Sequence, residues 1–116
     1  MKIGELSRRT GVSIRMLRYY EAEGLLSPAR TASGYRDYGH AEEQTVLRIK
    51  LLGAGGMTLG TIQQFLPCIR GDKPTLEPCD ELRRTLHQQI DLTDQRMEEL
   101  ARSRAVLATF LSDIEG

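Results

Sequence analysis

The apolar positions at the start of the chain follow a helical rhythm. Ile3, Leu6 and the Arg9-Thr10 pair recur at steps of three and four, which predicts about two turns of helix stopped by Gly11. Ser13 stands where an N-cap belongs, and Ile14, Leu17 and Tyr20/Glu21 carry a second helical face to Glu23, with Gly24 as its stop. Two short helices joined by Gly11-Val12-Ser13 form a helix-turn-helix, a pattern that plain αα-hairpins share. Over residues 27–38 the helical period is lost, and Ser33-Gly34 between short flanks predicts the tip of a β-hairpin. It returns over residues 40–67: Val46, Leu47, Ile49, Lys50, Leu51 and Leu52 precede a break at Gly53-Ala54-Gly55-Gly56. Thr58 then caps a short helix that carries Ile62, Phe65 and Leu66 and is stopped by Pro67.

Past a connector containing Pro67, Gly71, Pro74 and Pro78, the stretch from Asp80 to Glu115 holds neither Gly nor Pro. Such a stretch predicts one helix, a rod of roughly 50 Å at about 1.5 Å per residue. From Leu86, alternating steps of four and three land on Ile90, Thr93, Met97, Leu100, Arg104, Leu107, Leu111 and Ile114, and seven of these nine positions are apolar. A period of 3.5 residues is that of a coiled coil. Leu86, Ile90, Met97, Leu100, Leu107, Leu111 and Ile114 are therefore the expected dimerisation residues, with Thr93 and Arg104 as register-setting exceptions. A second copy of the chain is the simplest cover for this seam; an intramolecular bundle is the alternative. The expected fold is mainly α, with a helix-turn-helix head and small β-hairpin in residues 1–68, a connector in 69–79 and a long C-terminal dimerisation helix in 80–116.

Composition adds one useful asymmetry. The 116 residues are 40% apolar and 28% charged, ordinary values for a globular chain, and the formal net charge is zero. Residues 1–56 nevertheless carry nine basic against six acidic side chains (+3), and the other 60 carry seven against ten (−3). A basic front suits an anionic partner. No segment reaches the run of about 18 apolar residues of a membrane span, and Met1-Lys2-Ile3-Gly4 begins no signal peptide, so a cytoplasmic protein without membrane partners is expected. Enzyme chemistry is not expected. His40 and His87 lie far apart, no nucleophile elbow or phosphate loop is present, and the Gly53–Gly56 stretch ends a helix rather than opening one after a strand.

A recognition helix presents hydrogen-bond donors from its first turns, where Ser13, Arg15 and Arg18 stand; positions 15 and 18 share a face. The segments Arg18-Tyr19-Tyr20-Glu21, Gly24-Leu25-Leu26 with Pro28, and Gly34-Tyr35-Arg36-Asp37-Tyr38 closely resemble the MerR family of transcription regulators. The likeness covers residues 2–66 motif by motif and is architectural over 80–114. It implies a winged helix-turn-helix, two more helices, and a long helix that pairs antiparallel across a two-fold axis. By the same resemblance Arg15 and Arg18 reach bases or backbone, Tyr19 or Tyr20 bonds phosphate, and Tyr35 and Arg36 on the wing clamp the flanking backbone. Tyr38 is a further wing candidate, for contact or for packing. The implied function is binding of a pseudo-palindromic promoter operator as a homodimer, with DNA distortion that presents the promoter to RNA polymerase; the alternative is an architectural or recombination-accessory DNA-binding protein without an effector.

For an effector the candidates are Cys68 and Cys79, the only cysteines in the chain. Relatives of the mercury type place a cysteine just before the long helix, where Cys79 sits, but their two partner cysteines after the helix have no counterpart here. At a helix N-terminus, with Arg83 and Arg84 a turn away, the Cys79 thiolate is favoured, and Cys68 is its candidate resolving partner. A metal site, redox-active thiols, and two small apolar residues closing the joint are the three readings. No cofactor is implied beyond these.

Overall fold

The computed structural model describes residues 1–72 and 79–116; the part of the expected connector that contains Pro74 and Pro78 lies outside the described residues. In chain order the elements are α1 (Ile3–Thr10), α2 (Ile14–Ala22), β1 (Ala29–Arg30), β2 (Arg36–Asp37), α3 (His40–Ala54), α4 (Leu59–Gln64), α5 (Leu66–Ile69) and α6 (Asp80–Glu115). The expected mainly helical fold with one small hairpin and a long C-terminal helix is the one found. The chain divides into two units, Met1–Leu82 and Arg83–Gly116.

Local chemistry sets the helix ends. Gly11 adopts φ 73°, and its N–H donates to the Ser7 carbonyl to close α1. That left-handed conformation suits glycine and turns the chain sharply into α2. The Ser13 hydroxyl oxygen then accepts the Met16 N–H at 3.2 Å, and Thr58 does the same for Thr61 N–H at 3.2 Å at the start of α4. At α3 the Gly39 N–H donates to the Glu42 carboxylate at 2.8 Å.

Two boundaries differ from the sequence expectation. Gly53 and Ala54 continue α3, and the chain turns at Gly55-Gly56 instead, with Gly56 at φ 94°. Pro67 does not end a helix; it sits in the first turn of α5. A first-turn proline gives up an N–H that has no intrahelical acceptor and brings a φ already suited to helix, so it starts α5 where it was expected to stop α4.

The core of the Met1–Leu82 unit is built from Leu6 of α1, Leu17 of α2, Val46 and Ile49 of α3, Ile62 of α4 and Ile69 of α5, all essentially sealed from solvent. Truncating any of them to Ala should cost about 2–5 kcal/mol. Long polar side chains tie the helices across this core. Lys50 donates to the Thr10 carbonyl at 2.9 Å, satisfying the C-terminal end of α1 from α3. Arg48 donates to the carbonyls of Ile69 and Arg70 at 3.0 and 2.7 Å, and Arg9 pairs with Glu43 at 2.9 Å.

Gly71 makes the closest approach. Its N–H donates to the Thr45 hydroxyl at 2.8 Å, and a Cβ built there would collide with the Ala41 carbonyl and the Thr45 backbone of α3. Backbone atoms of a helix cannot step aside. We expect Gly71→Ala to destabilise this unit by about 1–3 kcal/mol, read as a fall in Tm of roughly 5–15 °C; an unchanged melting curve would contradict the packing described.

The Arg83–Gly116 unit is helix alone. Its seam residues Ile90, Met97, Leu100, Leu107, Leu111 and Ile114 are all exposed, Leu107 by 69% and Ile114 by 82%, while Leu86 is half-buried. Leu92, Val106 and Phe110, which lie off the strict seam, are exposed apolar side chains as well. At about 100° per residue, Val106, Leu107, Phe110, Leu111 and Ile114 fall within one arc of about 140°. The apolar stripe is therefore wider toward the C-terminal end of α6 than a two-position seam.

Candidate nucleic-acid interface

The helical period sorts the side chains of α2 into two groups. Leu17 and Tyr20 point into the core, whereas Arg15, Arg18, Tyr19 and Ala22 are exposed and fall within an arc of about 100°. One face of α2 therefore carries two guanidiniums and a phenol, Tyr19 being 47% exposed. Ser13, also exposed, is already engaged as N-cap acceptor and keeps its O–H for a second partner.

The hairpin pairs Ala29 with Asp37 and Arg30 with Arg36 in antiparallel register. Two-residue strands cannot hold a wing unaided, and its tip is braced by short bonds. Gly34 N–H donates to the Thr31 carbonyl at 2.9 Å, Tyr35 N–H to the Thr31 hydroxyl at 3.2 Å, and Arg30 to the Gly34 carbonyl at 2.9 Å. Gly34 takes φ 84°, as the turn requires. Arg30 is thus part of the turn. The result lifts Tyr35 into solvent with 72% of its surface free.

Arg36 ties the wing to the helix-turn-helix through a 2.6 Å contact with the Glu21 carboxylate. That hydrogen bond raises the already high pKa of its guanidinium. Between wing, α2 and the start of α1 lies an open cleft of about 770 Å³ lined by Lys2, Ile3, Arg18, Glu21, Ala22, Gly34, Tyr35, Arg36 and Tyr38. Three cations and a single carboxylate, itself committed to Arg36, give this cleft the sign that a phosphate backbone selects. Lys2 and Glu21 were not among the candidate contact residues, although Glu21 stands in the Arg18–Glu21 motif; Lys2 lies outside every motif.

Tyr20 and Tyr38 require correction. The first is 6% exposed and the second 1%, so both are core residues, with Tyr38 in the floor of the cleft and not projecting from it. Burial pushes both phenols above their ordinary pKa. In the Arg18–Glu21 segment, then, Tyr19 faces out and Tyr20 faces in.

The cysteines come together away from this surface. Cys68 lies in α5 and Cys79 immediately precedes α6; both are half-buried and neither is in a disulfide. Bonding from the backbone N–H of Leu82, and then from the Cys68 side chain, holds the Cys79 thiol below its ordinary pKa. Among the described residues no cluster of three or more His, Cys, Asp or Glu side chains could hold a metal ion.

A family model described as MerR HTH family regulatory protein matches residues 1–67, more than half of the chain, and a second, MerR DNA binding, matches residues 44–110. The chain belongs to the MerR family. Among MerR-family relatives, the HTH-type transcriptional regulator HmrR of Sinorhizobium medicae is 46% identical over 67 residues, a stretch covering 57% of this chain and 46% of that protein. This chain therefore matches about half the length of that curated relative. The lead(II) complex of the transcription regulator PbrR691 from Ralstonia metallidurans superposes with a TM-score of 0.68 at 34% identity, covering 92% of this chain and 82% of that one. HiNmlR, a MerR family regulator lacking the sensor domain and bound to promoter DNA, superposes with a TM-score of 0.70 at 24% identity over 96% of this chain and 86% of its own, which speaks for the fold. Lead(II) is a property of PbrR691.

Proposed function

We propose that this MerR-family chain is a sequence-specific transcription regulator that binds a pseudo-palindromic promoter operator as a homodimer and acts by distorting the DNA. The observation that carries the reading is the exposed Arg15–Arg18–Tyr19 face of α2 beside the cationic cleft of Lys2, Arg18 and Arg36. In this reading α2 enters the major groove with Arg15 and Arg18 toward base edges, Tyr19 bonds phosphate, and the wing grips the flanking backbone through Tyr35 and Arg36. Gripping the backbone on both sides of the groove is what offsets the several kcal/mol that bending or untwisting the duplex costs. The head, residues 1–68, and the helix, residues 80–116, divide the labour between DNA and partner chain.

The second chain covers α6. An apolar stripe of this length left in water forgoes roughly 1.5–3 kcal/mol per seam residue, and an identical helix lying antiparallel meets it with the same residues. Two heads about a two-fold axis call for an inverted repeat. RNA polymerase is the functional partner of the distorted promoter. The relatives named are transcription regulators, which supports this reading over an architectural role. No helix among the described residues is long and apolar enough to cross a membrane, and the cytoplasm is the proposed location.

The test is a gel shift of the full chain on DNA from upstream of its own coding sequence, across a salt series, followed by run-off transcription. Binding should weaken steeply with salt, and transcript should change with occupancy; binding that leaves transcript untouched would favour the architectural role. Two wing tyrosines provide an internal control. Tyr35→Ala should weaken operator binding and leave Tm nearly unchanged, because the side chain touches little but solvent. Tyr38→Ala should instead lower stability by about 3–5 kcal/mol, as removal of a buried aromatic does. The reverse pattern would show that the roles of the two have been exchanged.

A further inference from the structure

The cysteine pair is unused by this DNA-binding reading. Cys68 and Cys79 are the only cysteines in the chain. They approach from elements that are firmly held. The Cys68 N–H donates to the Phe65 carbonyl at 2.8 Å, and the carbonyls of the next two residues, Ile69 and Arg70, are both engaged by Arg48. Cys79 caps α6, and Leu82, three residues on, is buried in the core. The two side chains are in hydrogen-bonding contact, and the backbone N–H groups of Leu82 and Glu81 also point at the Cys79 sulfur.

A purely structural joint would be built differently. Asp, Ser or Asn caps a helix better than sulfur, which is a weak acceptor. An apolar plug has no need of donors around one of its members. What converging N–H groups do for sulfur is favour the thiolate, the nucleophilic form. A stabilised thiolate touching a second thiol is the arrangement of an attacking and a resolving cysteine.

We propose that Cys68 and Cys79 form a dithiol which hydrogen peroxide converts to an intramolecular disulfide, and that this conversion regulates transcription from the bound promoter. The regulatory half rests on the function proposed above. The Cys79 thiolate attacks one peroxide oxygen and the O–O bond breaks; Cys79 becomes a sulfenic acid, and the departing hydroxide takes a proton and leaves as water. The Cys68 sulfur then attacks the Cys79 sulfur, the S–O bond breaks, and a second water leaves with the proton from Cys68. Two electrons pass from the dithiol to the peroxide, and the new bond ties α5 to the residue that caps α6.

The experiment treats the reduced full chain with equimolar hydrogen peroxide. The expected result is a fall in intact mass of about 2 Da, joint loss of both thiols, and no disulfide-linked dimer on a non-reducing gel. Cys68→Ser should stop at a sulfenic acid that dimedone traps on Cys79, while Cys79→Ser should leave Cys68 unreacted over the same time. Alkylation of Cys79 by iodoacetamide should rise with pH through a midpoint below the ordinary thiol value. Oxidation no faster than that of glutathione, or cross-links between chains only, overturns the dithiol. For regulation, reduced and oxidised protein are compared on the same upstream fragment by gel shift and run-off transcription. Several-fold different transcript at equal occupancy is expected, and the difference should vanish in the double serine variant. Complete oxidation with unchanged transcript overturns the regulatory role. Reduced protein that binds no promoter DNA overturns the regulator reading itself, and the mass measurement then decides the dithiol separately.

Discussion

Leu107→Asp should convert the proposed homodimer to a monomer and abolish operator binding at concentrations where the unaltered chain is fully bound. Leu107 is 69% exposed in the single chain and lies on the apolar face of α6, so nothing within its own fold loses a contact when it changes. The loss falls on the partner. Each copy forgoes roughly 2 kcal/mol of burial, and two copies per dimer give at least about 4 kcal/mol before the cost of burying a carboxylate is added. That is about a thousand-fold in the dimer dissociation constant. Sedimentation equilibrium reads it directly. Far-UV circular dichroism should report it too, because most of the stability of a helix comes from packing an amphipathic face, and an unpartnered α6 should fray. A Leu107→Asp chain that sediments as a dimer would sink the proposed interface. The substitution lies far along the chain from α2, so a DNA-binding defect with a normal melting transition of the Met1–Leu82 unit would have to come from lost pairing.

The second large effect is expected at Arg18. It is the side chain shared by the exposed α2 face and the cationic cleft, and it is exposed, so its truncation removes no buried apolar surface from the head. Removing a bidentate guanidinium–guanine contact costs about 1–3 kcal/mol. Each half-site of the proposed operator meets the residue once, so Arg18→Ala should weaken binding of the proposed dimer by roughly 30-fold to about 20,000-fold while Tm stays within about a degree or two. Fluorescence anisotropy on a labelled operator, at two salt concentrations, separates two roles. If Arg18 reads a base, the salt slope holds and discrimination against a base change at one position disappears; if it holds phosphate, binding weakens on all sequences and the slope falls by about one per lost contact. Wild-type affinity in the variant would remove α2 from the recognition role.

Much of this architecture was legible in the chain before folding. Gly11-Val12-Ser13 and Ser33-Gly34 are positions where backbone geometry leaves few choices, and the turns are where they were expected. The helix from Asp80 was equally plain, since a stretch without Gly or Pro and with a 3.5-residue period has few other ways to fold. The boundaries that moved were decided by subtler terms. Gly53 costs a helix only about 1 kcal/mol, which the flanking residues of α3 absorb, and a proline in a first turn costs nothing. Tyrosines were the harder problem. A phenol is at home in a core or on a phosphate, and only the rotation of α2 and the course of the chain after β2 place Tyr20 and Tyr38 inside and Tyr19 and Tyr35 outside. Partners far apart in the chain, such as Arg36 with Glu21 or Lys50 with the Thr10 carbonyl, leave no periodic trace at all.

The uninterrupted α6 also limits how this chain can change in length. Adding one residue inside the helix turns everything beyond it by about 100°, which would split the stripe from Leu86 to Ile114 into halves facing different ways. Adding seven restores the facing to within about 20°. Length changes of seven or eleven residues, about 10 or 16 Å, therefore keep the stripe on one face, whereas a change of one or two turns part of it away.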